Sequence, residues 1–324
     1  GYWSFGHAAF FGAGVYSAAT LTAKWGLPFM LAIPFSAAIA ALLAVAIGAV
    51  VFRIHSLRAE FFALLTLSFT YVVAAIVSNT PIDGGAGVYL SNVPIPTFGT
   101  SVPGAIYLMG LVLAAGALAI SWWTFRSRLG AGLLAIHDDE DVAEVKGVPT
   151  MRYKLAAFAI SSAIAGAAGA IQAAYVGYVT VADTFAITVP LYVVIMSILG
   201  GARHWAGPAV GATLITIALS LVVGGGHAEL GRAGVALALI VVILLLPEGI
   251  APGMLKLLRT LAGASSPSNT LPRARLSIAP APVAQHAGDT VLLQCRDVVK
   301  NFGGIRALGG VTLDVREGEI LALV

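Results

Sequence analysis

Eight stretches of this chain are apolar for some 16 to 25 residues: 1–22, 27–51, 59–77, 104–125, 155–176, 186–202, 208–224 and 232–247. A helix needs about 20 such residues to cross the hydrocarbon core of a bilayer, so the spacing predicts an all-α polytopic membrane domain of eight spans. The last three runs are near the lower length limit, which leaves room for a broken or re-entrant helix among them. Composition agrees. Of the 324 residues, 59% are hydrophobic and 10% charged, with a mean hydropathy of +0.93. Soluble domains carry about 25% charged residues, so that class is excluded. One cysteine, Cys295, rules out an internal disulfide and provides no thiolate cluster for a metal.

The net charge of +3 is explained by topology, without a nucleic-acid partner. With eight spans, ten of the twelve Lys and Arg residues in 1–259 fall on one side: Arg53 and Arg58, then Arg126, Arg128, Lys146, Arg152 and Lys154, then Arg203, and finally Lys256 and Arg259. Lys24 and Arg232 fall on the other. Positively charged loops stay in the cytoplasm, so the loop from Ser78 to Pro103 is expected to face outward, with Asp83 as its one formal charge. The chain opens at Gly1 without Met and already inside an apolar run, and so reads as an internal fragment.

Composition shifts after residue 259. Residues 260–290 are rich in Ser, Pro, Ala and Arg, the make-up of a flexible linker. From 291 the pattern is one of short strands: VLLQCRDVV, a turn at KNFGG, IRALGGVTLDV, a turn at REGE, and the apolar ILALV. The last of these reads as the buried first parallel strand of an α/β domain. Three parts are expected: a membrane domain over 1–259, a linker over 260–290 and the start of a soluble domain over 291–324.

Between two spans, residues 126–154 carry Asp138, Asp139, Glu140, Asp141 and Glu144 beside five basic residues. Acidic residues suit a helix N-terminus, and Gly147 followed by Pro149 supplies a stop, so a short helix at the membrane face is expected over DEDVAEVKG. A plain solvated loop is the alternative. Within the first apolar segment, Ser4, His7 and Tyr16 are polar groups at membrane depth among Gly6, Gly12 and Gly14, which makes them candidates for a substrate pathway. The competing reading is packing, with His7 a satisfied core histidine. Ser162, Gly166 and Gly169 form a small-residue pattern for close helix contact. Arg203, His204 and Trp205 read as interfacial anchors.

Five ordered segments resemble the branched-chain amino acid permeases of the LIV type: WSFGHAAFFGAGVYSAA, LRAEFFALLTLSF, SRLGAGLLAIHDDEDVAEVKGV with RYKLAAFAISSAIAGAAGAI, ILGGARHWAGPAVGA and LLLPEGI. The segment LLQCRDVVKNFGGIRALGGVTLDVREGEILALV resembles the N-terminal strands of the ATPases that partner such permeases. The resemblance implies an ATP-driven importer in the bacterial cytoplasmic membrane, with its C-terminal domain in the cytoplasm. Asp138, Asp139, Glu140, Asp141, Ala143, Glu144 and Gly147 would then form the coupling loop that docks on an ATPase. Phe302 would stack on the adenine of ATP. ATP and Mg would serve the full-length protein, an ATP-hydrolysing translocase, whereas this sequence stops before a phosphate-binding loop and is not expected to hydrolyse ATP itself. A second permease, a second ATPase and an extracytoplasmic substrate-binding protein are the implied partners. Machinery of the same kind importing urea or short amides is the nearest alternative. An ion-coupled transporter would place ionisable residues within the spans, where only Glu60, at a helix mouth, comes close. A simple membrane anchor would not need eight spans.

Overall fold

The computed structural model describes residues 4–53, 59–83, 85–90, 93–201, 204–223, 290–302, 305–318 and 321. The chain divides into two compact units, Gly1–Ala262 and Gly263–Val324.

The first unit is helical. Its elements are α1 (His7–Ala19), which runs on into a π-helical turn over Thr20–Lys24, α2 (Phe29–Val51), α3 (Ala59–Ser78), β1 (Val88–Tyr89) and α4 (Val102–Arg126). Then come α5 (Arg128–Asp138), α6 (Glu140–Val145), α7 (Thr150–Val176), β2 (Tyr178–Val179), α8 (Val181–Thr184), α9 (Thr188–Gly200) and α10 (Gly207–Val223). Five segments are long and apolar enough to cross a membrane: Phe29–Val51, Phe61–Ser78, Val102–Arg126, Thr150–Val176 and Val181–Gly200. The expected runs at 1–22 and 208–224 are present as shorter helices, α1 of 13 residues with its five-residue π turn and α10 of 17. The run at 232–247 lies outside the described residues, as do the linker at 260–289 and Arg203.

Helix faces explain the packing. On α2, Ala32, Ser36, Ala40, Ala44 and Gly48 are buried at helical spacing, while Leu31, Phe35, Leu42 and Val50 point outward and are exposed. This is the pattern of a span in lipid, where small residues face neighbouring helices and large apolar ones face the bilayer. Pro28 is the N-cap of α2 and Pro190 falls in the first turn of α9, positions where a missing N–H costs little. Pro34 sits inside α2, and the helix continues past it.

The core is a seam of α1, α2 and α7. A Cβ added to Gly14 would stand 2.6 Å from Gly166 Cα. One on Gly166 would meet Ala40 Cβ at 2.5 Å and the Ser36 carbonyl at 2.7 Å. One on Gly169 would come within 2.9 Å of the Val15 nitrogen. The small-residue pattern on α7 therefore serves packing, and it serves two neighbours at once. Beside the seam, Phe158 meets Phe10 edge to face at 5.1 Å and Phe52 at 5.7 Å.

Two findings correct the expected layout of the central loop. Helix α7 begins at Thr150, so Arg152 and Lys154 belong to the helix and not to the loop before it. Pro149 at the N-cap lets that earlier start form, because helix capping decides the boundary more than hydropathy does. Asp138 closes α5 and does not open α6. Asp139, extended at φ −159°, breaks the helix between them.

The second unit contains β3 (Val291–Phe302) and β4 (Ile305–Arg316), an antiparallel hairpin with Phe302 opposite Ile305. The turn expected over KNFGG is thus shorter than anticipated, since Lys300 to Phe302 continue the ladder. Register shifts between Cys295 and Val298 absorb an irregularity where Asp297 takes φ 47° and its N–H is held by Thr312 Oγ1 at 3.1 Å. Most of ILALV lies outside the described residues.

Candidate functional site

Three sets of side chains carry the chemistry of the first unit. The first is α6, on the face where α4 ends and α7 begins. Asp139 caps it, its Oδ1 accepting the Val142 N–H at 3.0 Å, and Glu140 and Asp141 occupy its first turn, where carboxylates complement the exposed N–H groups. The helix closes in a glycine cap. The Val148 N–H reaches the Ala143 carbonyl at 3.0 Å, the Gly147 N–H reaches the Glu144 carbonyl at 2.9 Å, and Gly147 takes φ 87°. That left-handed conformation favours glycine, so the role of Gly147 is to end the helix sharply.

Ala143, 2% exposed, is the residue of α6 that packs inward. Asp138, Asp139, Asp141 and Glu144 are exposed, together with Val142 and with Val145 at 89%. Val145 thus stands exposed between the charged side chains of Glu144 and Lys146. One ion pair ties this surface to the seam: Lys154 Nζ of α7 meets Glu140 Oε1 at 2.5 Å, and the same ammonium lies 5.3 Å from the Phe52 ring at the end of α2. Residues 140 and 154 have no short-range helical spacing, so nothing in the sequence pairs them.

The second set is the polar group of α1. Ser4 and His7 lie together at its start. Ser4 Oγ is buried with no hydrogen-bond partner among the described residues, and the His7 ring stands edge-on to Phe10 at 6.1 Å and to Phe158 at 6.5 Å. The preceding turn is docked on α3 by the Phe5 N–H, which donates to Thr66 Oγ1 at 3.2 Å. Tyr16 is not part of this cluster. Two and a half turns further on, it is 2% exposed, and its hydroxyl donates to Asp83 Oδ1 at 2.7 Å while its ring stacks on Phe185. The single charge of the 78–103 loop is thereby buried and satisfied.

The third set surrounds that bond at the end of the unit opposite α6. Lys24 Nζ donates to the Pro81 and Ile82 carbonyls. Val88 pairs with Val179 and Tyr89 with Tyr178, whose rings stack 4.3 Å apart, and the Tyr178 hydroxyl donates to the Ala86 carbonyl at 2.8 Å. The 79–90 loop is therefore fastened to both α1 and the end of α7. Asp83 was legible as a lone charge, but its tyrosine partner 67 residues away was not. In the second unit, Phe302 is the last residue of β3.

A family model described as branched-chain amino acid transport system / permease component matches residues 1–246. The high-affinity branched-chain amino acid transport system permease protein LivM of Escherichia coli (strain K12) is 29% identical over 67% of this chain and 56% of its own length. LivM of Salmonella typhimurium (strain LT2) is 28% identical over the same shares. The chain thus spans about half the length of these curated relatives. No solved structure matches it. The match over residues 1–246, with the multi-pass helical architecture and its small-residue seam, makes this chain a member of the branched-chain amino acid permease family.

Proposed function

We propose that this chain is the permease of an ATP-driven importer of branched-chain or related amino acids, continued after residue 290 by the first strands of an ATPase domain. One observation carries the reading: α6 presents Val142, Val145, Asp141 and Glu144 outward and is tied through Glu140 and Lys154 to the helix that runs through the seam. An exposed apolar residue ringed by charge suits a protein partner. A short helix bound to a rigid span suits the transmission of a partner's movement into the membrane. The partner we assign is the ATPase, with Asp138, Asp139, Glu140, Asp141, Ala143, Glu144 and Gly147 forming the coupling loop.

This reading fixes the orientation. The α5–α6 face lies in the cytoplasm, where Arg126, Arg128, Lys146, Arg152 and Lys154 also fall, and the Tyr16–Asp83 end faces outward. The eight-span count, with 1–22, 208–224 and 232–247 as the further crossings, gives the same orientation. A second permease, a second ATPase and an extracytoplasmic binding protein complete the machine. The antiparallel ladder of β3 and β4, in a unit of its own, supports an ATPase start. When bound to the complete domain, ATP supplies the energy, with Mg on its phosphates. Phe302, the last residue of β3, would meet the adenine face.

The test is uptake of labelled leucine, urea and a short amide into proteoliposomes holding the full-length protein, its partner subunits and the binding protein. ATP-dependent accumulation of leucine above the other two is expected. Urea or amide uptake would keep the machine and replace the substrate, whereas leucine uptake without ATP would overturn the ATP-driven reading.

A further inference from the structure

Gly12 lies one turn before Tyr16 on α1, so the two share a face. Gly14, Gly166 and Gly169 meet neighbouring backbone, but Gly12 meets a side chain: a Cβ there would stand 2.5 Å from Phe185 Cζ and 2.9 Å from Phe185 Cδ1. The same ring stacks on Tyr16, with centroids 6.1 Å apart and planes at 15°, and Phe185 is 5% exposed. A notch where a side chain is missing and an aromatic wall one turn beyond it together make a seat for one phenyl ring.

The segment that carries the ring is loosely tied. Gly177 at φ 72° turns the chain out of α7, and a Cβ there would meet nothing within 4 Å. Thr180 caps α8: its hydroxyl accepts the Asp183 N–H at 3.3 Å and donates to Asp183 Oδ2 at 2.7 Å, so this bonding stays within the segment. Among the described residues, no hydrogen bond joins 181–187 to another element, and Thr184 and Phe185 are the buried residues of that stretch. A cavity of about 150 Å³ adjoins it, lined by Phe11, Val15, Thr184 and Val189 among others, so close packing does not lock the segment on that side.

We infer that Phe185 is a gate: its ring, seated on Gly12 and Tyr16, closes the outward end of the permease and leaves that seat during transport. The inference rests on the importer reading and its orientation. The ring belongs to one apolar cluster with Val73 and Val77 of α3, Val88 and Leu90 of the outward loop and Ala173 of α7, so it stands where the outward ends of these elements converge. Ser4 and His7, the pathway candidates, lie inward of Gly12, His7 by about 7 Å at ~1.5 Å per residue. A phenyl ring suits a gate, because it seals by apolar contact and can be withdrawn without leaving a buried polar group unpaired. Tyr16, held by Asp83, keeps the seat in place while the ring moves, and Gly177 supplies a hinge at the end of α7.

The discriminating experiment uses the full-length transporter with its partner subunits and binding protein in proteoliposomes, carrying Thr184→Cys in a background where the other cysteines, Cys295 included, are serine. Thr184 is 8% exposed, and the substitution leaves Phe185 in place. A thiol reagent that cannot the membrane is added on the binding-protein side. An open state raised from ~1% at rest to ~10% in turnover, both within the span of minor conformers, makes labelling about tenfold faster with leucine and ATP than without ATP. Adding Phe185→Ala should make labelling fast without ATP as well and let leucine leak down its gradient, and Phe185→Leu should leak less. Equal labelling with and without ATP, in a preparation that takes up leucine, overturns the gate and leaves the importer standing. A folded Phe185→Ala transporter as tight to leucine as the wild type overturns it too. If Phe185→Ala does not fold, the labelling of Thr184→Cys decides alone, with Ala186→Cys as a second reporter. Absence of ATP-dependent uptake by the unsubstituted transporter removes the importer reading and the gate with it.

Discussion

The α1–α2–α7 seam is held by backbone lying against backbone, whereas α6, at one end of the same bundle, is held among the described residues by an ion pair, a buried alanine and a glycine cap. In the seam, Gly14, Gly166 and Gly169 each sit where a single added carbon would strike a neighbour's main chain. On α6, Gly147 has nothing within 4 Å of where a Cβ would stand, and its constraint is conformational only. The contrast separates a part locked by its own backbone from a part with few ties. Packed small-residue interfaces shift between discrete arrangements instead of deforming smoothly, so under the proposed coupling role a displacement of α6 delivered through Lys154 would reach α1 and α2 as movement of a body.

Replacing the seam glycines should produce the largest effect. Gly166→Leu drives a branched side chain into Ala40 and the Ser36 carbonyl, and we expect a loss of at least about 3 kcal/mol, read as a loss of monodisperse protein in detergent. Gly166→Ala should be milder, and adding Ala40→Gly should restore only part of it, because the Ser36 carbonyl remains 2.7 Å away. Full recovery would show that the backbones do not constrain each other. Next in size is the ion pair between Glu140 and Lys154. A double-mutant cycle with alanine at both positions should give a coupling of about 0.5–1 kcal/mol in unfolding, within the range for partly exposed pairs, and zero coupling would detach α6 from the seam. Gly147→Ala is expected to cost a comparable amount, about 1 kcal/mol from placing a side chain at positive φ, with faster amide exchange confined to the Gly147 and Val148 N–H groups. If Gly147→Ala destabilised the bundle as much as Gly166→Leu, the distinction between the two regions would fail.

Much of this is legible in the sequence. Long apolar runs, the small residues of α7, the acidic start of α6 and its Gly147 stop each follow from local chemistry, and local chemistry is what a sequence displays. The readings that needed correction depend on where a helix is capped. Arg152 and Lys154 are charged and read as loop residues, yet Pro149 starts α7 ahead of them. Asp138 looks like a first-turn acid of α6 but ends α5, because Asp139 takes the cap. Long-range pairs were not legible at all. Tyr16 with Asp83, Lys24 with the carbonyls of Pro81 and Ile82, and Glu140 with Lys154 join residues far apart in sequence, and each side chain alone is compatible with solvent. Tyr16 reads in the sequence as a pathway candidate, and the loop contact its hydroxyl makes with Asp83 is visible only in the structure. Ser4, whose Oγ is buried with no hydrogen-bond partner among the described residues, stands as a pathway proposal that uptake assays on Ser4→Ala test.

The central claim is that α6 carries the drive from an ATPase into the seam, and Val145→Asp tests it most directly. Val145 is 89% exposed, so the substitution should leave folding within about 0.5 kcal/mol of the wild type. Placing a charge in the contact should lower ATP-dependent leucine uptake by the reconstituted full-length transporter about tenfold, the equivalent of ~1.4 kcal/mol at the interface. Normal folding with that loss is the predicted result. Wild-type uptake in Val145→Asp would contradict it and return α6 to the status of a solvated loop.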